Sequence, residues 1–71
     1  MEINIRLKLG KRIKELRRQC DYTQEKLSEI TEIDYKYIQK IEGKNPPNLK
    51  LETLQKLAKA FKITTSELLR F

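Results

Sequence analysis

The chain has no histidine and a single cysteine, Cys20. An internal disulfide is excluded, and the usual Cys/His zinc patterns cannot be written with these residues, so neither a metal nor a cofactor is expected. A lone thiol suits a reducing, cytoplasmic setting. With two glycines the chain has no glycine-rich phosphate loop, and no nucleophile stands beside a plausible base; an enzyme is therefore not expected. No apolar run approaches the ~20 residues of a membrane span. At the N-terminus Arg6 and Lys8 break up Ile3, Ile5, Leu7 and Leu9, so the continuous apolar core of a signal peptide is missing too. Windows that alternate apolar and polar residues long enough for a strand are absent, as are repeats, linkers and low-complexity tracts.

What is present is charge. Sixteen Lys and Arg against ten Asp and Glu give a net charge of +6, which attracts polyanions such as nucleic acid or an anionic membrane surface. The excess is uneven. Residues 1–20 carry seven basic groups against Glu2 and Glu15, a net of +5, residues 21–42 come to −3, and residues 43–71 to +4. At 71 residues the expectation is one domain spanning 1–71, with no room for a second, small-molecule-sensing unit. A chain this short buries only about 60 % of the surface its unfolded form exposes, so every apolar side chain is needed in the core.

Those apolar residues recur at spacings of three and four, which makes the fold class all-α. Ile5, Leu9, Ile13, Leu16 and Cys20 define one stripe of a first helix from about Asn4 to about Gln19, with Cys20 as a small buried residue closing it. Three later helix starts share one pattern, a capping residue between two apolar residues that clasp the first turn. They are Tyr22, Thr23 and Leu27; Ile33, Asp34 and Ile38; and Ile63, Thr64 and Leu68, the last completed to a capping box by Glu67. The first two caps leave room for a two-turn helix over 24–31, a tight corner, and a third helix over 35–42. So short a helix must be held by packing, and Leu27, Ile30, Ile33, Ile38 and Ile41 are expected to converge on the first helix. The third helix is expected to end at Glu42 and Gly43, where glycine tolerates a left-handed backbone. Pro46 and Pro47 make the following stretch a surface loop. Leu51, Leu54, Leu57, Ala58 and Phe61 define a fourth helix, and Thr65–Arg70 a short fifth one.

The second and third helices, so placed, have the layout of a helix-turn-helix. Residues in the first two turns of the third that face away from Ile38 and Ile41 are able to reach base edges in a major groove. Tyr35, Lys36, Gln39 and Lys40 are on that face. Lys36 and Lys40, one turn apart, suit adjacent guanine acceptors, and Tyr35 suits a thymine methyl. Free amides at the starts of both helices suit phosphate.

Three segments carry a specific resemblance. They are Thr23-Gln24-Glu25-Lys26-Leu27-Ser28-Glu29, then Ile33-Asp34-Tyr35-Lys36-Tyr37-Ile38-Gln39-Lys40-Ile41-Glu42-Gly43-Lys44, then Leu51-Glu52-Thr53-Leu54-Gln55-Lys56-Leu57-Ala58-Lys59-Ala60-Phe61. In register, they resemble the Xre/Cro/C1-type helix-turn-helix family of phage repressors and bacterial regulators. The resemblance implies a compact, five-helix, lambda-repressor-like domain that binds double-stranded DNA as a transcriptional regulator, most naturally a repressor. It implies a phosphate contact from Gln24, joined by Thr23 at the same helix start, base contacts from Tyr35, Lys36 and Lys40 with Gln39 beside them, and backbone contacts from Tyr37, Lys44 and Asn45. Such modules pair on near-palindromic operators, and Leu68, Leu69 and Phe71 are expected to supply a homodimer interface. Three positions depart from the family pattern. Ser28 stands where a small residue, often alanine, is usual, and is small enough to pass. Glu32 stands where glycine is usual at the corner, so either it turns left-handed at a cost of order 1 kcal/mol or the corner differs slightly, and Lys50 puts a cation at the start of the fourth helix, against its dipole.

Other readings stay open beside this one. A promoter-activating controller would use the same DNA contacts with Glu25 and Glu29 turned to polymerase, and a DNA-binding antitoxin or protein-interaction module would carry a partner. A membrane-surface role through the basic face of the first helix would show in liposome flotation, although no membrane partner is expected. Glu42 is expected to form a structural ion pair with Arg12 or another base of the first helix.

Overall fold

The computed structural model describes residues 4–71. Among them the fold is all-α, with α1 (Ile5–Gln19), α2 (Gln24–Thr31), α3 (Tyr35–Ile41), α4 (Leu51–Ala60) and α5 (Thr65–Leu68). No helix among the described residues is long and apolar enough to cross a membrane.

Each helix start is made locally. The side chain of Asn4 accepts from the Leu7 amide, Thr23 from Lys26, Asp34 from Lys36 and Thr64 from Glu67, which satisfies amides that a helix leaves without partners. At Thr64 the box is complete, since the Glu67 carboxylate accepts from the Thr64 amide at 2.9 Å. Only α4 lacks a side-chain cap, and Lys50 stands in that position.

Helix ends use left-handed residues that are not glycine. Asp21, Glu32 and Lys62 have φ near +60° (58°, 61° and 61°). At Asp21 the Tyr22 amide reaches the Arg17 carbonyl and the Asp21 amide the Arg18 carbonyl, and at Lys62 the Ile63 amide likewise reaches the Ala58 carbonyl and the Lys62 amide the Lys59 carbonyl. These bonds complete the last turn and hold an otherwise unfavourable backbone. Glu32 therefore does enter the left-handed region, as its place at the corner requires. Gly43 does not, and the expectation of a glycine closure is corrected: α3 ends through Glu42 at φ −90°, with Gly43 hydrogen-bonded to the Lys40 carbonyl.

The core is built from Ile13 and Leu16 of α1, Leu27 of α2, Ile33 before α3, Ile38 and Ile41 of α3, Leu54, Leu57, Ala58 and Ala60 of α4, Phe61 and Leu68. α2 packs against both α3 and α4, and α4 against α5. Four apolar residues depart from expectation. Ile30 is exposed, because α2 turns Leu27 and Thr31 inward instead. Ile5 and Leu51 lie at helix starts, beyond the reach of the core, and are exposed as well. Leu68 is fully buried, so it is withdrawn from the surface where it was expected beside Leu69 and Phe71. Leu9 and Cys20 are partly buried against the core. Nor is the loop after α3 wholly a surface feature, since Pro46 is buried.

Candidate nucleic-acid interface

The corner between α2 and α3 is held by polar groups turned inward. Ser28 Oγ donates to the Ile33 carbonyl at 2.6 Å, and Thr31 Oγ1 donates to the Leu27 carbonyl at 2.7 Å while accepting from the Ile33 amide at 3.2 Å. Both backbone groups of Ile33 are thereby satisfied, which lets a buried residue sit in a turn that has no ladder or helix bonds of its own. Apolar contact from Ile33, Ile38 and Ile41 then seats α3 on the rest of the fold.

A second clamp sets the three helices against one another. Arg17 of α1 donates from Nε and Nη2 to the two oxygens of Glu42, at 2.8 and 3.0 Å, and from Nη1 to the Tyr22 carbonyl at 2.7 Å. Gln24 of α2 adds a third donor to Glu42, from Nε2 to Oε1 at 3.2 Å. The side chains of Arg17 and Glu42 are 12 % and 2 % exposed, so this forked pair works at low dielectric and fixes both distance and angle. The partner of Glu42 is thus Arg17. Arg12 goes elsewhere, capping the Glu67 and Leu68 carbonyls at the end of α5 at 2.9 and 3.3 Å. Gly10 makes the close approach possible: a Cβ there would run into the Ile41 carbonyl oxygen.

With α3 so anchored, its far side is open. Tyr35, Lys36, Gln39 and Lys40 are all exposed, and Ile38 and Ile41 on the reverse are buried. Gln39 Nε2 donates to Tyr35 Oη at 3.2 Å across one helical turn. Lys44 and Asn45 are exposed in the loop beyond α3, and Thr23 is exposed at the start of α2. Two expected members of the site have other engagements. Gln24 is half-buried and bonded to Glu42, and Tyr37 is half-buried against the core.

The acidic middle of the chain does not cancel this face. Glu42 is neutralised by Arg17, and Asp34 is engaged in capping the Lys36 amide. Glu29 lies 3.9 Å from Lys26 on α2. Lys36, Lys40 and Lys44 remain outward, and the start of α2 adds the partial positive charge of its amides.

Ser28, Thr31 and Gly10 were not foreseen in these roles, whereas the ion pair of Glu42 with a base of α1 was expected and falls to Arg17. Of the three, Gly10 had a visible signal: glycine inside a helical pattern costs ~1 kcal/mol against alanine and usually marks close packing. A family model described as a helix-turn-helix domain matches residues 10–70. Among curated proteins, none matches the chain.

Proposed function

The chain belongs to the helix-turn-helix domain family, a family of DNA-binding domains, and from that premise we propose that it is a sequence-specific transcriptional regulator of the Xre/Cro/C1 kind, acting as a repressor. Residues 1–71 are read as one DNA-binding unit. α3 lies in the major groove, with Lys36, Lys40 and Gln39 at base edges and Tyr35 at the side of the contact. The amides at the start of α2, that of Gln24 among them, meet phosphate together with Thr23, as do Lys44 and Asn45 in the loop; the Gln24 side chain stays on Glu42. Tyr37 is the weakest member of this set, because its ring is spent on the core.

One observation carries the reading: α3 presents Tyr35, Lys36, Gln39 and Lys40 to solvent while its reverse face and its corner are fully engaged inside the fold. Leu69 and Phe71, exposed at the end of the described chain, supply the contact of a homodimer that sets two copies of α3 ~34 Å apart on a near-palindromic site. The controller reading keeps a place because Glu25 and Glu29 are exposed on α2; reporter output from a promoter carrying the site separates activation from repression.

The test is selection of bound sequences from a random duplex pool. Lys36→Ala should then weaken the selected site by about 1–3 kcal/mol and relax one position, whereas Lys44→Ala should weaken all duplexes alike. A pool that yields no enriched sequence would overturn the reading.

A further inference from the structure

α3 has one side chain whose chemistry differs from that of its neighbours. With 100° between successive residues, the direction opposite the buried pair Ile38 and Ile41 is that of Lys36, to within about 10°. Gln39 and Lys40 stand about 50° to either side, and Tyr35 about 90° away, at the margin on the Gln39 side. Its partial exposure, 39 %, fits that marginal place. Lys36 and Lys40 offer donors only. Gln39 alone among the four offers a donor and an acceptor on two neighbouring atoms of one planar group.

The hydrogen bond from Gln39 Nε2 to Tyr35 Oη, 3.2 Å long, decides which way that plane faces. One amide hydrogen is engaged by the phenol oxygen. Outward remain Oε1 and the second N–H, side by side. Adenine presents the complementary pair in the major groove, a donor at N6 and an acceptor at N7, whereas guanine presents two acceptors at O6 and N7 and would meet Oε1 with repulsion. Tyr35 also holds the arrangement in place on a duplex. At the margin of the face its own hydroxyl hydrogen is available to a backbone phosphate, which can only accept; the phenol oxygen is then left as an acceptor, and the amide must turn its nitrogen to it.

We infer that Gln39 reads an adenine and that Tyr35, by accepting from its amide, is the positioning residue that makes the amide select adenine over guanine. This rests on the reading of α3 as the base-contacting helix, and replaces a thymine-methyl contact as the role of Tyr35.

The experiment measures binding of selected duplexes by fluorescence anisotropy, with each base substituted in turn at every position of the site. The unaltered protein should show a position at which adenine exceeds guanine by about 5- to 150-fold, the range of one good bidentate contact. Gln39→Ala should erase the preference there and leave the other positions unchanged. Tyr35→Phe, which keeps the ring and removes the oxygen, should narrow the adenine-to-guanine ratio several-fold at that same position while adenine-site affinity falls less. Both side chains are exposed, so circular dichroism of each variant should match that of the parent. Specific binding with all preferences intact in Gln39→Ala overturns the inference and leaves the wider reading standing. So does a Gln39-dependent preference for guanine. An unchanged ratio in Tyr35→Phe removes Tyr35 from the mechanism, and absence of any specific site overturns both the inference and the function it rests on.

Discussion

Replacing Glu42 by glutamine keeps its shape and removes its charge, which isolates what the clamp between α1, α2 and α3 contributes. In the native fold the carboxylate receives Arg17 Nε and Nη2 at 2.8 and 3.0 Å and Gln24 Nε2 at 3.2 Å. An amide can still accept on one side, but on the other it opposes its own N–H to the Arg17 donor. The guanidinium, 12 % exposed, is then left without a counter-charge. Breaking a buried pair in this way costs about 3–5 kcal/mol, and the small access of Arg17 to water places the loss near the lower end. Domains of this size hold only about 0.05–0.15 kcal/mol per residue of net stability, so about 3 kcal/mol is roughly a quarter or more of the whole. At about 4–8 °C per kcal/mol, the midpoint of thermal unfolding should fall by about 12–24 °C. The discriminating version is a double-mutant cycle of Arg17→Met and Glu42→Leu, followed by urea denaturation and circular dichroism. Each single variant buries an unpaired charge; the double variant buries none, so the coupling should be at least about 2 kcal/mol. The double variant should still fall short of the parent by ~1 kcal/mol for the lost bond from Arg17 to the Tyr22 carbonyl. Arg12→Met in place of Arg17→Met should show no coupling. Additive single effects to within ~0.5 kcal/mol would refute the clamp.

Gly10→Ala should destabilise by about 1–3 kcal/mol, because the added methyl meets the Ile41 carbonyl and forces α1 and α3 apart; a thermal midpoint equal to the parent's would count against the close approach. Glu32→Gly should stabilise by about 0.5–1 kcal/mol, since relief of the left-handed backbone at φ 61° exceeds the entropy glycine adds to the unfolded chain. Urea midpoints compare the two directly. The Glu67 carboxyl is held below the usual carboxylate range, first by the hydrogen bond from the Thr64 amide and next by that from the Thr64 hydroxyl. Because the folded value is the lower one, this stabilisation is complete above the unfolded carboxylate range and is lost as pH falls through the folded value. Thr64→Ala, which removes one of the two bonds, should flatten that acid-side slope in pH-dependent unfolding.

Much of the fold was legible because it is written locally. Each cap needs only a residue and the amide two or three positions on, so Thr23, Asp34 and Thr64 could be placed without knowing what they pack against. The outward face of α3 was equally readable, being the complement of Ile38 and Ile41. Where the reading failed, a tertiary partner decided. Periodicity grouped Ile30 with Leu27, but α2 turns Thr31 inward instead, and a hydroxyl is tolerated there because the Leu27 carbonyl and Ile33 amide both bond to it. Position alone could not choose between Arg12 and Arg17, which lie on different sides of α1, and each finds its acceptor more than twenty residues away. Gly43 was assigned the left-handed closure by residue type, whereas the chain imposes that backbone on Asp21, Glu32 and Lys62.

The same division between inward and outward polar groups bears on how such a surface changes partners. Ser28, Thr31, Arg17, Gln24 and Glu42 spend their hydrogen bonds inside the corner and the clamp, so a substitution at any of them disturbs the angle between α2 and α3. Lys36, Gln39 and Lys40 are exposed, and the one side-chain bond found among them, from Gln39 to Tyr35, stays on the surface. Exposed positions away from caps and packing usually change stability by no more than ~0.5 kcal/mol when substituted. The outward face is therefore separable from the frame that holds it: the frame constrains sequence through burial, and the face is constrained only by what it touches outside the protein. On the function proposed above, a change of operator would require different residues at 36, 39 and 40 and nothing new in the core.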